Sequence, residues 1–297
     1  MNRPVAVPTE FKLGAITVLR LKETLGKAFP PKFLLPDLTP DLLERHASWL
    51  TPNHYDPEAG RFVMGTHSWI LRTANHNILI DTCIGNDKPR PGNPGFNMLS
   101  QPYVQRLEAL GLGVDDIDFV FCTHMHVDHV GWNTRLLDGR WVPTFPNAKY
   151  LYCRREFEWM KANAEREPDS QDAAVFNDSI GPIHAAGMAV MVDDGHEIEP
   201  GIRLELAAGH TPGSMIMHVE SGDGHALLIG DICHHPLQVF HPELNSGFCA
   251  DAAGARASRR RALEIVAGNG GLLMPAHFGA PHAVRVRAKG DAFEIPF

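Results

Sequence analysis

Apolar and polar residues change period along this chain, and each change of period marks a change of element. Residues 14–21 alternate as a strand does, whereas residues 24–60 lose regular period and gain prolines. Within that irregular stretch only 40–50 keeps helical spacing. Phe29, Phe33, Leu34, Leu35 and Trp49 make the segment too apolar for a linker, so it is expected to pack as a lid or as a contact between subunits. Strands follow at 61–64, 68–73 and 78–81, the last two separated by the turn Asn75-His76-Asn77. Tyr103, Leu107 and Leu110 recur at helical spacing within 102–111, and 118–123 reads as a buried strand. A strand at 150–153 and a helix at 154–165 close this first series. A second series comprises strands at 189–192, 202–207, 215–219 and 226–230, a helix at 252–267 and a short strand at 271–275. Two series of strands, each ending in a helix, predict two sheets packed face to face with helices outside. No linker or low-complexity tract breaks the 297 residues, so one domain is expected over 1–297.

Composition narrows the class without changing that layout. Apolar residues make up 44% and charged residues 21% of the chain, as in an ordinary soluble globular protein. A formal charge of −8 argues against nucleic-acid and anionic-membrane partners, which need a clustered basic face. The one basic run, Arg259-Arg260-Arg261, falls in the expected helix at 252–267 and reads as a solvated helix face. Five cysteines, Cys83, Cys122, Cys153, Cys233 and Cys249, form no CxxC pair and are odd in number, which suits a reducing compartment. The opening stretch MNRPVAVPTEFKLGAITVLRL lacks the unbroken apolar core of an export signal, and no window approaches the roughly 20 apolar residues of a membrane span. A cytoplasmic protein is expected.

Histidine is the outlier, at 17 residues, many of them beside Gly, Pro, Asp or Thr where loops begin. His124, His126, Asp128 and His129 set four ligand-type side chains within six residues, directly after the buried strand at 118–123. A lone histidine there would read as a satisfied loop residue. Four such residues in HxHxDH spacing follow no helix or strand face, and a strand end is a rigid platform around which a loop can fold onto an ion. Imidazole and carboxylate suit zinc, and also manganese, iron and cobalt.

The chain resembles the metallo-β-lactamase superfamily of metallo-hydrolases from about Gly65 to Phe278. The resemblance is carried by His124-Met-His126-Val-Asp128-His129, Asp81 after Ile-Leu-Ile, Gly209-His210-Thr-Pro-Gly-Ser214, Gly230-Asp231 and Ala276-His277-Phe278. It implies an α+β fold, a four-layer αββα sandwich, with two metal ions at one edge between the sheets. His124, His126 and His210 would hold one ion, and Asp128, His129 and His277 the other, with Asp231 bridging them. Asp81 would be a structural carboxylate orienting the histidine-rich loop. Two divalent ions balanced by Asp128, Asp231 and a bridging hydroxide leave about one positive charge, which favours an anionic transition state. Asp128 would move a proton to the leaving group.

Departures from particular branches narrow the reading. Asp231 stands where the best-known β-lactamase subclass has cysteine, and His126 stands where flavodiiron relatives have glutamate. Only about 20 residues follow His277, too few for the helical domain of glyoxalase II enzymes, and the large insert of nucleic-acid-processing relatives is missing. The segment Asp81-Thr-Cys-Ile-Gly-Asn-Asp-Lys-Pro-Arg90 and the long N-terminal part are similar to the quorum-quenching lactonase and methyl parathion hydrolase group. The expected activity is therefore a dinuclear zinc hydrolase that uses a metal-bridging hydroxide to open a lactone or cleave a related carboxylic ester. Phosphotriester hydrolysis is the alternative, and a non-catalytic metal-binding scaffold a more distant one. Many acyl-homoserine lactonases place a tyrosine three residues after the bridging aspartate to polarise the substrate carbonyl. Here that position is His234, which can donate the same hydrogen bond; pocket lining, or support behind the ligand residues, is the plainer role for His234 and His235. Trp132, Leu237, Phe240 and Phe278, with Phe29, Phe33 and Met98, are candidate walls for a small apolar lactone or ester. Cys233 lies beside Asp231 but reads as a small buried residue rather than a nucleophile. A homodimer through 24–60 is a further expectation.

Overall fold

The computed structural model describes residues 10–296, so the first nine residues of the stretch read for an export signal lie outside the described residues. Two sheets form the centre. The first has eight strands in the spatial order Glu10–Leu13, Ile16–Lys27, Arg61–Arg72, Asn77–Ile80, Phe119–Phe121, Lys149–Cys153 and Ala189–Val192, with Tyr55–Asp56 paired to one end of Arg61–Arg72. The second has six: Glu197–Glu199, Ile202–Leu206, Met215–Ser221, Gly224–Gly230, Leu272–Pro275 and Val284–Arg285.

Strand period sorts the apolar residues into layers. Trp69, Leu71, Ile80 and Phe121 of the first sheet meet Leu204, Met217, Leu228 and Met274 of the second. The intervening residues Ile70, Leu79, Val120 and Tyr150 face outward onto helices Tyr103–Ala109 and Arg154–Arg166 through Tyr103, Leu107, Phe157 and Met160. Ile216, Leu227 and Ile229 turn from the second sheet onto Ala262, Leu263 and Val266 of helix Ala252–Asn269. Sheets covered on both faces explain why Ile78-Leu-Ile80 and Leu227-Leu-Ile229 read as unbroken apolar runs. The four-layer αββα sandwich is the architecture expected from the sequence.

Strand direction positions the site. Asn77–Ile80, Phe119–Phe121 and Lys149–Cys153 run parallel, and so do Gly224–Gly230 and Leu272–Pro275. The carboxyl ends of these strands carry Asp81, the 124–129 loop, Asp231 and His277. Met215 N donates to Thr123 O at 2.8 Å, joining the two sheets at that rim.

Several expectations need correction. The first strand does not stop at 21 but continues to Lys27, and 61–73 is one strand, Arg61–Arg72, rather than two. Residues 189–192 join the first sheet, parallel to Lys149–Cys153, rather than the second series. The segment 24–60 does contain the helix Pro40–Leu50, with Thr39 Oγ1 accepting from Leu42 N at 3.3 Å. Its Leu34, Leu35, Leu38 and Leu50 bury against Phe62, Leu237 and Leu244 of the same chain. The basic run is not uniformly solvated: Arg260 and Arg261 are exposed, but Arg259 is 0% exposed. Its guanidinium donates to Ile232 O, Pro242 O and Asn245 Oδ1 at 2.7–3.2 Å. Among the described residues no helix is long and apolar enough to cross a membrane.

Candidate metal centre

Asp81 begins the site. It leaves strand Asn77–Ile80 in the left-handed region, φ 56°, a conformation that costs a non-glycine residue roughly 1 kcal/mol or more. Its carboxylate offsets that cost by accepting from Thr123 N at 2.7 Å and Thr123 Oγ1 at 2.9 Å, and it lies 2.8 Å from His129 Nδ1. One side chain thus holds both ends of the His124–His129 loop and orients the His129 ring. The orienting carboxylate anticipated at 81 is there.

Seven side chains converge at the rim. His124, His126, His210 and Asp231 form one group and Asp128, His129 and His277 a second, the facing nitrogen and oxygen atoms of each lying within 4.8 Å of one another. In the first, His126 Nδ1 is 3.1 Å from His124 Nε2 and 2.9 Å from His210 Nε2. In the second, His129 Nε2 and His277 Nε2 are 3.3 Å apart. Asp231 faces both: Oδ2 is 3.4 Å from His210 Nε2, while Oδ1 is 3.0 Å from His277 Nε2 and 3.3 Å from His129 Nε2. Every residue expected as a ligand lies in this cluster.

The donor set fits metal ions on several grounds. Nitrogens bound to one tetrahedral zinc at ~2.1 Å stand ~3.4 Å apart, close to the spacings here. Asp231 Oδ1 is buried without a hydrogen-bond partner. Outer ring nitrogens are anchored elsewhere: His129 on Asp81, His277 on Gly65 O at 2.9 Å and His124 on Thr123 Oγ1 at 3.1 Å. His210 Nδ1 faces Cys249 Sγ at 3.9 Å. Such contacts fix ring orientation and leave the inner nitrogens to converge. Burial, with His129, His126 and His210 nearby, holds His124 well below the usual histidine range; burial and His126 do the same for His210. Both are therefore neutral, the form that ligates metal. In the second group burial is outweighed by carboxylates. Asp231, Asp81 and Asp128 raise His129 well above the usual range, and Asp231 and Asp128 raise His277 to about 9.

The cluster floors a cavity of about 680 Å³. Phe29, Phe33 and Phe248 form its aromatic wall, with ring centroids 5.3–5.9 Å apart, and Leu25, Met64 and Phe96 add apolar surface. Phe29 and Phe33 thus stand where they were expected, whereas the other anticipated walls do not line the cavity. Trp132 is stacked on Tyr103 at 4.9 Å and donates to Glu23; Leu237 and Phe278 are buried in the core; Phe240 packs on Trp49; Met98 is exposed elsewhere. Phe248 and Phe96 carried no signal, since neither adjoins a ligand in sequence.

His234 lies on the cavity floor, Nε2 3.0 Å from Asp231 Oδ2, with neither ring nitrogen in a hydrogen bond. His235 turns away, stacks on Phe62 at 3.8 Å and donates from Nε2 to His54 O at 3.1 Å, a structural role rather than pocket lining. Cys233 is buried outside the cavity, and burial pushes its thiol up to about 12. The buried carboxylates Glu23 and Glu156 went unread in the sequence. Glu23 accepts from Ile84 N, Gly85 N and Trp132 Nε1, and Glu156 accepts from Met125 N and Gly213 N.

A model of the metallo-β-lactamase superfamily matches residues 61–277. The N-acyl homoserine lactonase of Bacillus thuringiensis is 25% identical over 214 residues, covering 67% of this chain and 75% of that protein. The transcription termination factor FttA of Cenarchaeum symbiosum (strain A) is 26% identical over 181 residues, or 57% of this chain, which spans only 25% of that factor's length. Among solved structures, the hydrolase AbOPH of the β-lactamase superfamily superposes with a TM-score of 0.78 at 20% identity, covering 99% of this chain and 98% of its own. AidC, a dizinc quorum-quenching lactonase in complex with a product, superposes with a TM-score of 0.71 at 20% identity, covering 97% and 96%. At those identities the two structures establish the fold. Matched over most of its length, with the signature residues of the match gathered at one sheet rim, the chain belongs to the metallo-β-lactamase superfamily of metallo-hydrolases.

Proposed function

We propose that this protein is a dinuclear zinc hydrolase that opens a lactone or cleaves a related carboxylic ester. The observation that carries the reading is Asp231, whose two oxygens face two separate histidine groups and leave Oδ1 without a hydrogen bond. His124, His126 and His210 would hold one ion and Asp128, His129 and His277 the other, with Asp231 placed to serve both. When bound, such ions polarise a carbonyl oxygen and lower the pKa of water towards neutrality.

The chain's own residues do the rest. Asp128, half-buried and lining the cavity, takes up a proton as water adds and returns it to the leaving oxygen. His234 donates to the oxygen on which charge develops. Phe29, Phe33 and Phe248 bind an apolar substituent and exclude water from one side. Residues 24–60 act as an N-terminal lid or as a dimer contact within one domain spanning 1–297. The five free cysteines support a cytoplasmic setting.

The lactonase names among the relatives and neighbours support lactone over phosphotriester. The test is a panel of lactones with short and long acyl chains, run beside aryl esters and dialkyl aryl phosphotriesters on zinc-loaded protein. Lactones should give the highest kcat/KM. A phosphotriester rate far above every lactone and ester rate would overturn the preference, and absence of turnover on all classes would leave a metal-binding scaffold.

A further inference from the structure

Glu156 lies in the first turn of helix Arg154–Arg166, outside every ligand-bearing loop, and is 1% exposed. Its Oε1 accepts from Met125 N, the amide between His124 and His126, at 3.1 Å. Its Oε2 accepts from Gly213 N, in the turn that follows His210, at 2.8 Å. These loops belong to different sheets: the first leaves Phe119–Phe121, and the second joins Ile202–Leu206 to Met215–Ser221. Approach is close enough that a Cβ on residue 213 would stand 2.4 Å from Glu156 N, so only glycine admits the contact. An acid in a first helical turn is ordinarily exposed and serves the helix dipole. Here the carboxylate is turned inward and shared between two loops that both carry residues of the histidine cluster.

We propose that Glu156 is a positioning residue: its two carboxylate oxygens tie the loop bearing His124 and His126 to the loop bearing His210, and so set the spacing of the three imidazoles. The inference rests on the reading that these histidines hold a metal ion. It assigns the junction of the two sheets a role in metal retention, exerted by a residue that touches neither ion nor substrate.

Glu156→Gln tests it, because an amide offers one acceptor oxygen where the carboxylate offers two and turns an NH2 group towards the second N–H. Zinc is loaded to saturation and withdrawn with graded chelator. One zinc is expected to be held 10–100-fold more weakly than in the parent, with the other near parental retention. kcat should fall while KM moves little. Glu158→Gln, on the exposed face of the same helix, should retain both ions as the parent does. If Glu156→Gln keeps both ions at parental strength while its metal-free form melts lower, Glu156 serves only the helix and the proposal is overturned. Should the variant not fold, amide exchange on the metal-free parent decides. Met125 and Gly213 should show equal protection and open together, and a more than tenfold difference between them would overturn the proposal. A parent that binds no zinc would defeat the functional reading while leaving the exchange measurement able to judge the tie between the loops.

Discussion

His234 is a buried imidazole on the cavity floor that makes no hydrogen bond from either ring nitrogen, although Asp231 Oδ2 is only 3.0 Å from Nε2. Its main chain is fixed, since Gln238 Oε1 accepts from His234 N at 2.7 Å, and its ring lies between His210 and His277. A fixed donor next to a convergent metal cluster can stabilise charge on a reacting oxygen at little cost in reorganisation. His234→Phe keeps the ring and removes the donor. kcat is expected to fall on the order of 100-fold, with bound zinc unchanged and KM nearly so. Parental kcat with parental zinc would reduce His234 to pocket lining. His235 shows how little the sequence separates such neighbours. Two adjacent histidines look alike in the chain, yet one faces the cavity and the other stacks on Phe62 in the core.

At the scale of elements the same contrast occurs on helix Ala252–Asn269. Arg259 lies on its buried face and satisfies two backbone carbonyls and Asn245 Oδ1, while Arg260 and Arg261 face solvent. Arg259→Met should destabilise the fold by about 3 kcal/mol, because buried carbonyl groups lose their donor. Arg260→Met should cost less than about 0.5 kcal/mol. Urea unfolding midpoints at constant slope would give both values, and equal midpoints would refute the assignment. Periodicity exposed most elements because the layers bury alternate residues, and the clustering of candidate ligands was legible because HxHxDH has no structural use of its own. What stayed hidden depends on contacts between distant segments. The strand Ile16–Lys27 shifts register against Arg61–Arg72 between Lys22 and Thr24, and the intervening Glu23 is fully buried on Ile84 N, Gly85 N and Trp132 Nε1. Phe248 reaches the cavity through its contact with Phe29, more than 200 residues away in the chain. No local pattern encodes either.

Across the whole molecule, buried histidines make stability depend on pH in two opposed directions. Burial, aided by His282, holds His54 at about 4, and burial, aided by Arg20, holds His282 at about 4; burial also keeps His67 and His235 well below the usual range. In the unfolded chain each takes a proton near pH 6.5. Below that pH the unfolded state binds more protons, so their contribution is complete above pH 6.5 and is lost as pH falls towards 4. Glu23, raised to about 7 by burial, opposes this by a single proton between its ordinary range and 7. His277 has the reverse sign, since its folded form keeps a proton up to about 9 in the absence of metal. Its contribution, with that of His129, is complete below pH 6.5 and fades as pH rises. The metal-free protein should therefore be most stable near pH 6.5 and weaken on both sides. On the proposed reading zinc would occupy the nitrogens that carry those protons, so loading should abolish the alkaline decline between pH 6.5 and 8 and raise the melting temperature most at pH 8. Melting curves of metal-free and zinc-loaded protein across pH 5–8 would test this, and an alkaline limb that persists unchanged after loading would show that His129 and His277 do not hold the metal.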